Sequence, residues 1–414
     1  MNRRSIILAL IFFGIVVNYI DRGNLSIAAP SIMRDFRLAP ATMGVLLSAF
    51  FWTYSAFQIP AGAIVDRFGI RRSYAVGFLV WSLASASIAA SRGTGDIIGL
   101  RMLLGLAESV APLASIAFIR NNFAGKDQGL PTSIYIAGQN IGPAIGALVG
   151  SFLVDRFGWR IMFLITGLGG LLWIPGWWAA MPANGGREER PAADNMSARR
   201  AWTWRMLLAN RTFWAISLAI LLSSYFWYFV LTWIPSYLVL SRGFSTLSMG
   251  RILSTALFTM AVVNVLGGVA VDRLAARIGV FRARVCFGAA GWAGTSAILL
   301  LLVAPDRSWA LPILLFSLCA TGIGNSNFWA ISQHVPPKNL VGRTIGYLNT
   351  LSVGAGALAP VITGFILGPQ RRFGPAILVA GVCPALAAAC LLAAGWKGLD
   401  RMKAHLAGDD GANA

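Results

Sequence analysis

Stretches of about twenty apolar residues, the length needed to cross a hydrocarbon core about 30 Å thick, recur along almost the whole of this chain. Segments of that kind have few alternatives. In hydrocarbon every backbone N–H and C=O must be satisfied internally, so long runs without strict alternation are spanning helices. Polar and Gly/Pro punctuation places six of them at 5–30, 42–65, 72–91, 96–119, 129–154 and 159–181. Six more lie at 211–238, 246–271, 283–304, 309–334, 341–367 and 374–396. Composition agrees: 57% of the 414 residues are hydrophobic and 12% charged, where soluble domains carry about 45–50% and about 25%. A water-exposed surface cannot accommodate that difference; a lipid-exposed one can.

The stretch 182–210 contains Asn184-Gly185-Gly186, Arg187-Glu188-Glu189-Arg190 and Arg199-Arg200, and reads as a solvated linker. The expected organisation is therefore an all-α polytopic membrane protein of twelve helices in two six-helix bundles. One bundle covers 1–181, the linker 182–210 follows, the second bundle covers 211–397, and 398–414 form a polar tail. Arg3 and Arg4 ahead of an apolar run resemble a signal peptide, but no small-residue cleavage site follows, so 5–30 is expected to stay as the first helix. The formal charge of +19 is mostly a topology signal. Of the 34 Lys and Arg, ten fall in alternate loops (34, 37, 92, 156, 160, 242, 251, 307, 371 and 372) and two within spans, leaving 22 in the other loops and the two tails. Positive charge concentrates on the cytoplasmic side, which puts both termini and the linker there, in a cell membrane.

Internal repeats support two related halves. Gly62-Ala63-Ile64-Val65-Asp66-Arg67-Phe68-Gly69-Ile70-Arg71-Arg72 follows the second span, and Gly267-Gly268-Val269-Ala270-Val271-Asp272-Arg273 follows the eighth, about 205 residues later. Glycines at 138, 142, 146 and 150 in the fifth span are echoed by Gly342, Gly346, Thr350 and Gly354 in the eleventh. Val154-Asp155-Arg156-Phe157-Gly158 copies Val65-Asp66-Arg67-Phe68-Gly69 at the matching point of the next three-helix unit. Nested repeats of this kind build many transporters, and a glycine every fourth residue lets helices approach closely.

Other function classes lack their chemistry. The basic residues form no stripe suited to nucleic acid. Cys286, Cys319, Cys383 and Cys390 sit singly in apolar runs, and His334 and His405 are far apart, so neither a disulfide framework nor a metal site is expected. Gly93-Thr94-Gly95-Asp96 precedes a membrane helix rather than a helix of a βαβ unit, and no phosphate-binding lysine motif occurs. Nothing supplies a nucleophile with its base, so no enzyme activity and no cofactor is expected.

Asp21, Arg22, Arg101 and Glu108 are the charges set well inside spans. Each costs about 2.5–3.5 kcal/mol at a helix centre, so such residues face a cavity and one another. Arg101 and Glu108, seven apart, share a face and are separated by about 10 Å along the axis. Asp21 and Arg22 point about 100° apart, so one is expected to meet the fourth helix while the other turns to a cavity. The four sum to zero; a proton on either carboxyl leaves the group positive and attractive to an anion.

Here the residues resemble a known family. The Gly62–Arg72 segment is similar to the loop between helices 2 and 3 of the major facilitator superfamily. Asn18-Tyr19-Ile20-Asp21-Arg22-Gly23-Asn24-Leu25-Ser26 resembles the first helix of its anion:cation symporter group, which includes galactonate, hexuronate and tartrate permeases. Gly99-Leu100-Arg101 with Ala107-Glu108, Phe51-Trp52-Thr53-Tyr54 with Gln58-Ile59-Pro60, and Leu231-Thr232-Trp233-Ile234-Pro235 also fit. The chain departs from galactonate-type members at Gly23, where they carry Ala, and at Ser109–Leu113, where they carry an aromatic-proline pattern.

The resemblance implies proton sites at Asp21 and Glu108, an anion contact at Arg22, and pairing of Arg101 with a carboxylate of helix 1 or helix 4. It implies further substrate contacts at Tyr19, Tyr54, Gln139, Ser326, Trp329 and Asn349. Gly62, Asp66, Arg67, Gly69, Arg71, Asp272 and Arg273, at cytoplasmic helix ends, are expected to gate the path through salt bridges. The implied activity is proton-coupled symport of a small organic anion, such as a hexonate or hexuronate, by a monomer through alternating access. Export of drugs or metabolites by proton antiport is the alternative on the same fold; the two embedded arginines weigh against it.

Overall fold

The computed structural model describes residues 3–123, 127–182, 210–335 and 341–407. Most of the expected linker (183–209), the end of the tail (408–414), Lys126 and Lys338 lie outside the described residues. Among the described residues the chain is helical almost throughout, with no strand. α1 (Arg3–Asp35) is followed by α2, which is broken at Phe57 into Pro40–Ala56 and Gln58–Phe68. α3 (Ile70–Ala90) and α4 (Thr94–Asn122) precede a 52-residue stretch, Gly129–Ala180. Then come α7 (Arg211–Ser241), α8 (Thr246–Ile278), α9 (Val280–Leu302), α10 (Arg307–His334), α11 (Val341–Leu367), α12 (Phe373–Ala394) and the short α13 (Trp396–Ala407).

Among the described residues, ten helices are long and apolar enough to cross a membrane by themselves. The remaining two of the expected twelve are hidden by local chemistry. α2 breaks because Pro60 has no N–H for the carbonyl of Ala56 and its ring crowds that oxygen. The same rule interrupts α4 at Ser109, since Pro112 withdraws the donor that the carbonyl of Glu108 would accept. The Gly129–Ala180 stretch would be about 80 Å long if straight, more than twice a bilayer core. It reverses at Gly158, whose φ of 83° and ψ of 164° are not helical. Gly138, Gly142 and Gly146 face Ile15, Tyr19 and Ile20 of α1 in rising order, whereas Gly170 faces Val17 and Trp173 approaches Gly14. The chain thus climbs α1 as α5 (129–157) and descends it as α6 (159–180).

Gly69, between α2 and α3, has φ 80° and ψ 158°, the conformation of Gly158, and Gly279, between α8 and α9, is close to both at φ 92° and ψ 143°. Only glycine occupies this region without strain. The repeated Val-Asp-Arg-Phe-Gly sequence is therefore a repeated backbone device, a one-residue reversal between antiparallel helices. Every positive-φ residue described is glycine except Arg37 and Arg371, at φ 51° and 53°. The left-handed conformation costs a side-chain-bearing residue about 1–2 kcal/mol.

The chain forms two compact units that interleave along the sequence. The first contains Met1–Glu189, Phe229–Phe258 and Ala357–Phe373; the second contains Arg190–Tyr228, Thr259–Gly356 and Gly374–Ala414. In the first, the glycines of α5 bring its backbone onto α1. A Cβ added at Gly142 would lie 2.7 Å from Cβ of Tyr19, and one at Gly146 3.2 Å from Cα of Ile20. α4 is held as closely on α2, where a Cβ at Gly105 would lie 2.2 Å from the carbonyl oxygen of Phe50. Within the same unit, Cβ atoms at Gly44 and Gly364 would come within 2.4 Å of the Pro360 carbonyl oxygen and 2.6 Å of the Pro40 carbonyl oxygen. In the second unit, Phe213, Ile220, Val285, Trp292, Phe328 and Leu391 make an apolar core, and Gly291 meets the backbone of Gly324. The echoed glycines 346 and 354 of α11 face open space, so that repeat in sequence is not a repeat in packing.

Glycine contacts of this kind predict opposite results at two positions on one helix. Gly105→Val forces a methyl-bearing Cβ into backbone and is expected to lower stability by about 1–3 kcal/mol or abolish folding. Gly99→Ala, with nothing within 4 Å of the new Cβ, is expected to raise stability by about 0.5–1 kcal/mol. Thermal unfolding of the purified variants in detergent checks both.

Candidate functional site

Three of the charges buried inside the first unit, Arg22, Arg101 and Glu108, lie between α1, α2 and α4. Close approach at Gly105 and Gly142 sets the rotation of α4 and α1, and Thr53 of α2 donates to the carbonyl of Met102 at 2.6 Å, fixing the α2–α4 register. Arg22 then points at α4. Its Nε donates to Oε2 of Glu108 at 2.7 Å, with side-chain exposures of 16% and 0%. The guanidinium lies among three aromatic rings, 4.4 Å from the centroid of Tyr54, 4.7 Å from Tyr19 and 5.0 Å from Phe50. Ring faces stabilise a desolvated cation by about 2 kcal/mol, and planar guanidinium suits both stacking and bidentate capture of a carboxylate. Glu108 occupies the last turn before the α4 break, and its Oε1 makes no hydrogen bond by distance and angle among the described residues.

Asp21, one residue earlier, faces the other way. It accepts from Ser85 of α3 at 2.8 Å and from Asn24 at 3.3 Å; Asn24 also donates to Thr166 of α6 at 2.9 Å. Its Oδ2 has no partner. Arg101 corrects an expectation: among the described residues it forms no salt bridge with a carboxylate of α1 or α4. Its guanidinium lies 5.2 Å from the Phe50 ring, and its buried Nε and Nη1 are unpartnered. Its place seven residues before Glu108, about 10 Å along the axis, puts it beyond ion-pair distance of that carboxylate, while Asp21 of α1 is turned to Ser85 and Asn24. Gln139 of α5 donates to the Tyr135 hydroxyl at 2.8 Å, one turn away on the same helix.

The other expected contacts belong to the second unit. Ser326 and Trp329 lie one turn apart on α10, the first bonded to the Ile323 carbonyl and the second packed against Phe328. Asn349 is exposed on α11. Among the helix-end residues, Asp272 pairs with Arg284 of α9 at 2.6 Å rather than with Arg273, which is exposed. Adjacent helical residues diverge by about 100°, so Asp272 reaches across the Gly279 turn instead. Arg67 lies over the Phe68 ring, and Gly62 faces open space. Arg71 donates to the carbonyl of Trp178 at 2.6 Å, stacks over that indole at 4.4 Å, and accepts at its own carbonyl from Trp177, so it ties α3 to α6.

Sequence reasoning missed Phe50, which touches both arginines, and Ser85 and Thr166, which support Asp21 and Asn24. A phenylalanine in an apolar helix carries no signal. Ser82 and Ser85, three apart in an otherwise apolar run, were a weak one.

Over residues 11–360 the chain matches the family model of the Major Facilitator Superfamily. It is 29% identical over 393 residues to the hexuronate transporter of Bacillus subtilis strain 168, covering 91% of this chain and 90% of that one. To the D-galactonate transporter of Escherichia coli O6:H1 it is 27% identical over 406 residues, covering 91% and 92%. Among solved structures, a bacterial homologue of the human lysosomal transporter Spinster has the same fold, with a TM-score of 0.77 at 17% identity and full coverage of both chains.

The buried ion pair has a stability signature. Removing one partner strands a charge in low dielectric, so Glu108→Ala is expected to destabilise by about 3–5 kcal/mol, while Arg22→Ala/Glu108→Ala loses much less than the two single changes added together. A double-mutant cycle of thermal unfolding measures the coupling.

Proposed function

We propose that this chain, which belongs to the Major Facilitator Superfamily and is a multi-pass membrane transporter rather than an enzyme, carries sugar acids such as hexuronates and hexonates together with protons. The observation that carries this reading is the Arg22–Glu108 pair, a cation among aromatic rings held by a single buried carboxylate among the described residues. The cargo class follows the hexuronate and D-galactonate carriers named above.

In the proposed cycle, the substrate carboxylate and Glu108 compete for one guanidinium. A proton on Glu108 removes its negative charge and weakens its hold on Arg22. The freed fork then takes the carboxylate in a bidentate pair, the geometry for which arginine is suited. Anion and proton therefore enter together, and loss of either restores the internal pair. Tyr19, Tyr54 and Gln139 supply ring faces and an amide for the sugar carbons and hydroxyls, and Ser326, Trp329 and Asn349 of the second unit are proposed as further contacts. Asp21, held by Ser85 and Asn24, is proposed as a second proton site, and Arg101 as the fixed cation that keeps the group receptive to anions.

Alternating access is proposed to rock 1–181 against 211–397, parting close contacts such as Gly44 with Pro360. Asp66, Asp272 and their neighbouring arginines act at the helix ends in that movement. The loop charges support an orientation with both termini cytoplasmic, and the proposed cycle needs no more than a monomer in the cell membrane.

Proteoliposomes test the proposal. Acid outside is expected to drive accumulation of labelled D-galacturonate or D-galactonate, and a protonophore to abolish it. Arg22→Ala is expected to fall to background. Glu108→Gln is expected to lose gradient-driven accumulation while keeping some substrate exchange. Background uptake of every hexuronate, hexonate and aldarate offered, or unchanged uptake by Arg22→Ala, overturns the reading.

A further inference from the structure

The two residues that break the glycine rule for positive φ line one cavity. It has a volume of about 590 Å³, within the range of small-molecule pockets, and its walls include Ser31, Arg34, Arg37, Asp155, Thr246 and Arg371. All belong to the first unit. Arg37 lies about 20 Å beyond Arg22 along the chain of α1, so this cavity is separate from the buried pair.

Arg37 and Arg371 sit in matching turns after α1 and α11. The Arg37 N–H bonds to the carbonyl of Arg34 and the next N–H to Met33; the Arg371 N–H bonds to Gly368 and the next N–H to Leu367. This is the left-handed helix-ending position that glycine ordinarily fills. The six other positive-φ residues described are glycines, so arginine stands twice where the backbone favours its absence. Strain of this kind persists at functional positions. Neither guanidinium has an ion pair among the described residues, and the Asp155 carboxylate in the same cavity has none either. Arg34 makes only a 3.8 Å contact with Asp35, whose other oxygen accepts from Trp159. Three cations and one carboxylate thus face a single space with their hydrogen-bonding capacity unspent.

We propose that this cavity is a second anion-binding site, one that captures small polyhydroxy carboxylates before they reach Arg22. The guanidinium forks of Arg37 and Arg371 suit a carboxylate; Ser31, Thr246 and Asp155 suit the alcohols beside it. In the orientation inferred from loop charge, the site opens outside the cell, where a net positive cavity raises the local concentration of anions and their on-rate. The class of ligand rests on the cargo reading above; the existence of an anion site does not.

The decisive variant is Arg37→Gly/Arg371→Gly, which removes both charges while relaxing both turns and so is expected to unfold no more easily than the parent. In proteoliposomes its KM for D-galacturonate is expected to rise about fivefold at low salt, with maximal rate within about twofold, and its KM is expected to lose the parent's dependence on ionic strength. A merely structural role leaves the KM and its salt dependence at parental values, which overturns the proposal. A binding arm is independent of transport. In nanodiscs free of anionic lipid, Arg22→Ala/Glu108→Gln protein is expected to retain weak, salt-sensitive binding of D-glucarate by equilibrium dialysis, and to lose it when the two glycine substitutions are added. That result stands even if no acid is transported, in which case only the cargo reading fails. Absence of D-glucarate binding overturns the proposal, as does D-glucarate binding that survives the glycine substitutions while co-purified phosphatidylglycerol is lost.

Discussion

An arginine and a glutamate placed side by side in hydrocarbon are the constraint around which the first half of this molecule is arranged. Neither Arg22 nor Glu108 is tolerable alone at that depth, and their 2.7 Å contact requires α1 and α4 to face each other at a set height. The height is set by groups with no charge at all. Gly142 admits Tyr19, Gly105 admits the Phe50 backbone, and Thr53 latches onto Met102. The aromatic rings that meet the Arg22 guanidinium come from α1 and α2, so the same packing that supports the pair shields it from water. In the proposed cycle this guanidinium has two claimants, the internal carboxylate and an incoming one, and protonation of the first is proposed to decide the success of the second.

Much of this was legible in the sequence because bilayer physics leaves few options. Span lengths, the loop charge bias and the four embedded charges each follow from solvation alone. The span count survived two local disguises, the Pro60 break of α2 and the Gly158 reversal inside a continuous helical stretch, because composition registers the spans whatever the backbone does at one residue. What could not be read was rotation. Adjacent Asp21 and Arg22 had to diverge, yet which one met α4 depended on how the α5 glycines seat α1, a tertiary matter. The expected carboxylate partner of Arg101 failed for the same reason, since the rotation of α1 turned Asp21 to Ser85 of α3. Asp272 found Arg284 only because the Gly279 turn folds α9 back beside α8, and Gly279 lies outside the motif that drew attention to its loop.

The repeats carry a related lesson. Val65–Gly69 and Val154–Gly158 end in the same glycine conformation, so there a shared sequence is a shared structure. The glycine ladder of α5 and its echo in α11 are not equivalent: the first packs on α1, whereas Gly346 and Gly354 of the second face open space. Similar spacing makes close approach available; the neighbouring helix decides whether it is used. Arg37 and Arg371 are the converse case, a conformation normally announced by glycine and here carried by a residue with no turn signal.

The claim that one guanidinium is shared between an internal and a transported carboxylate has a direct test in proton counting. Purified protein in a weakly buffered detergent solution near neutral pH is mixed with D-galacturonate, which is fully ionised there, and the pH change is followed. Displacement of Glu108 from Arg22 predicts net proton uptake by the protein that saturates with substrate binding and disappears in Glu108→Gln. Saturable binding with no proton uptake, or the same uptake in Glu108→Gln, would contradict it.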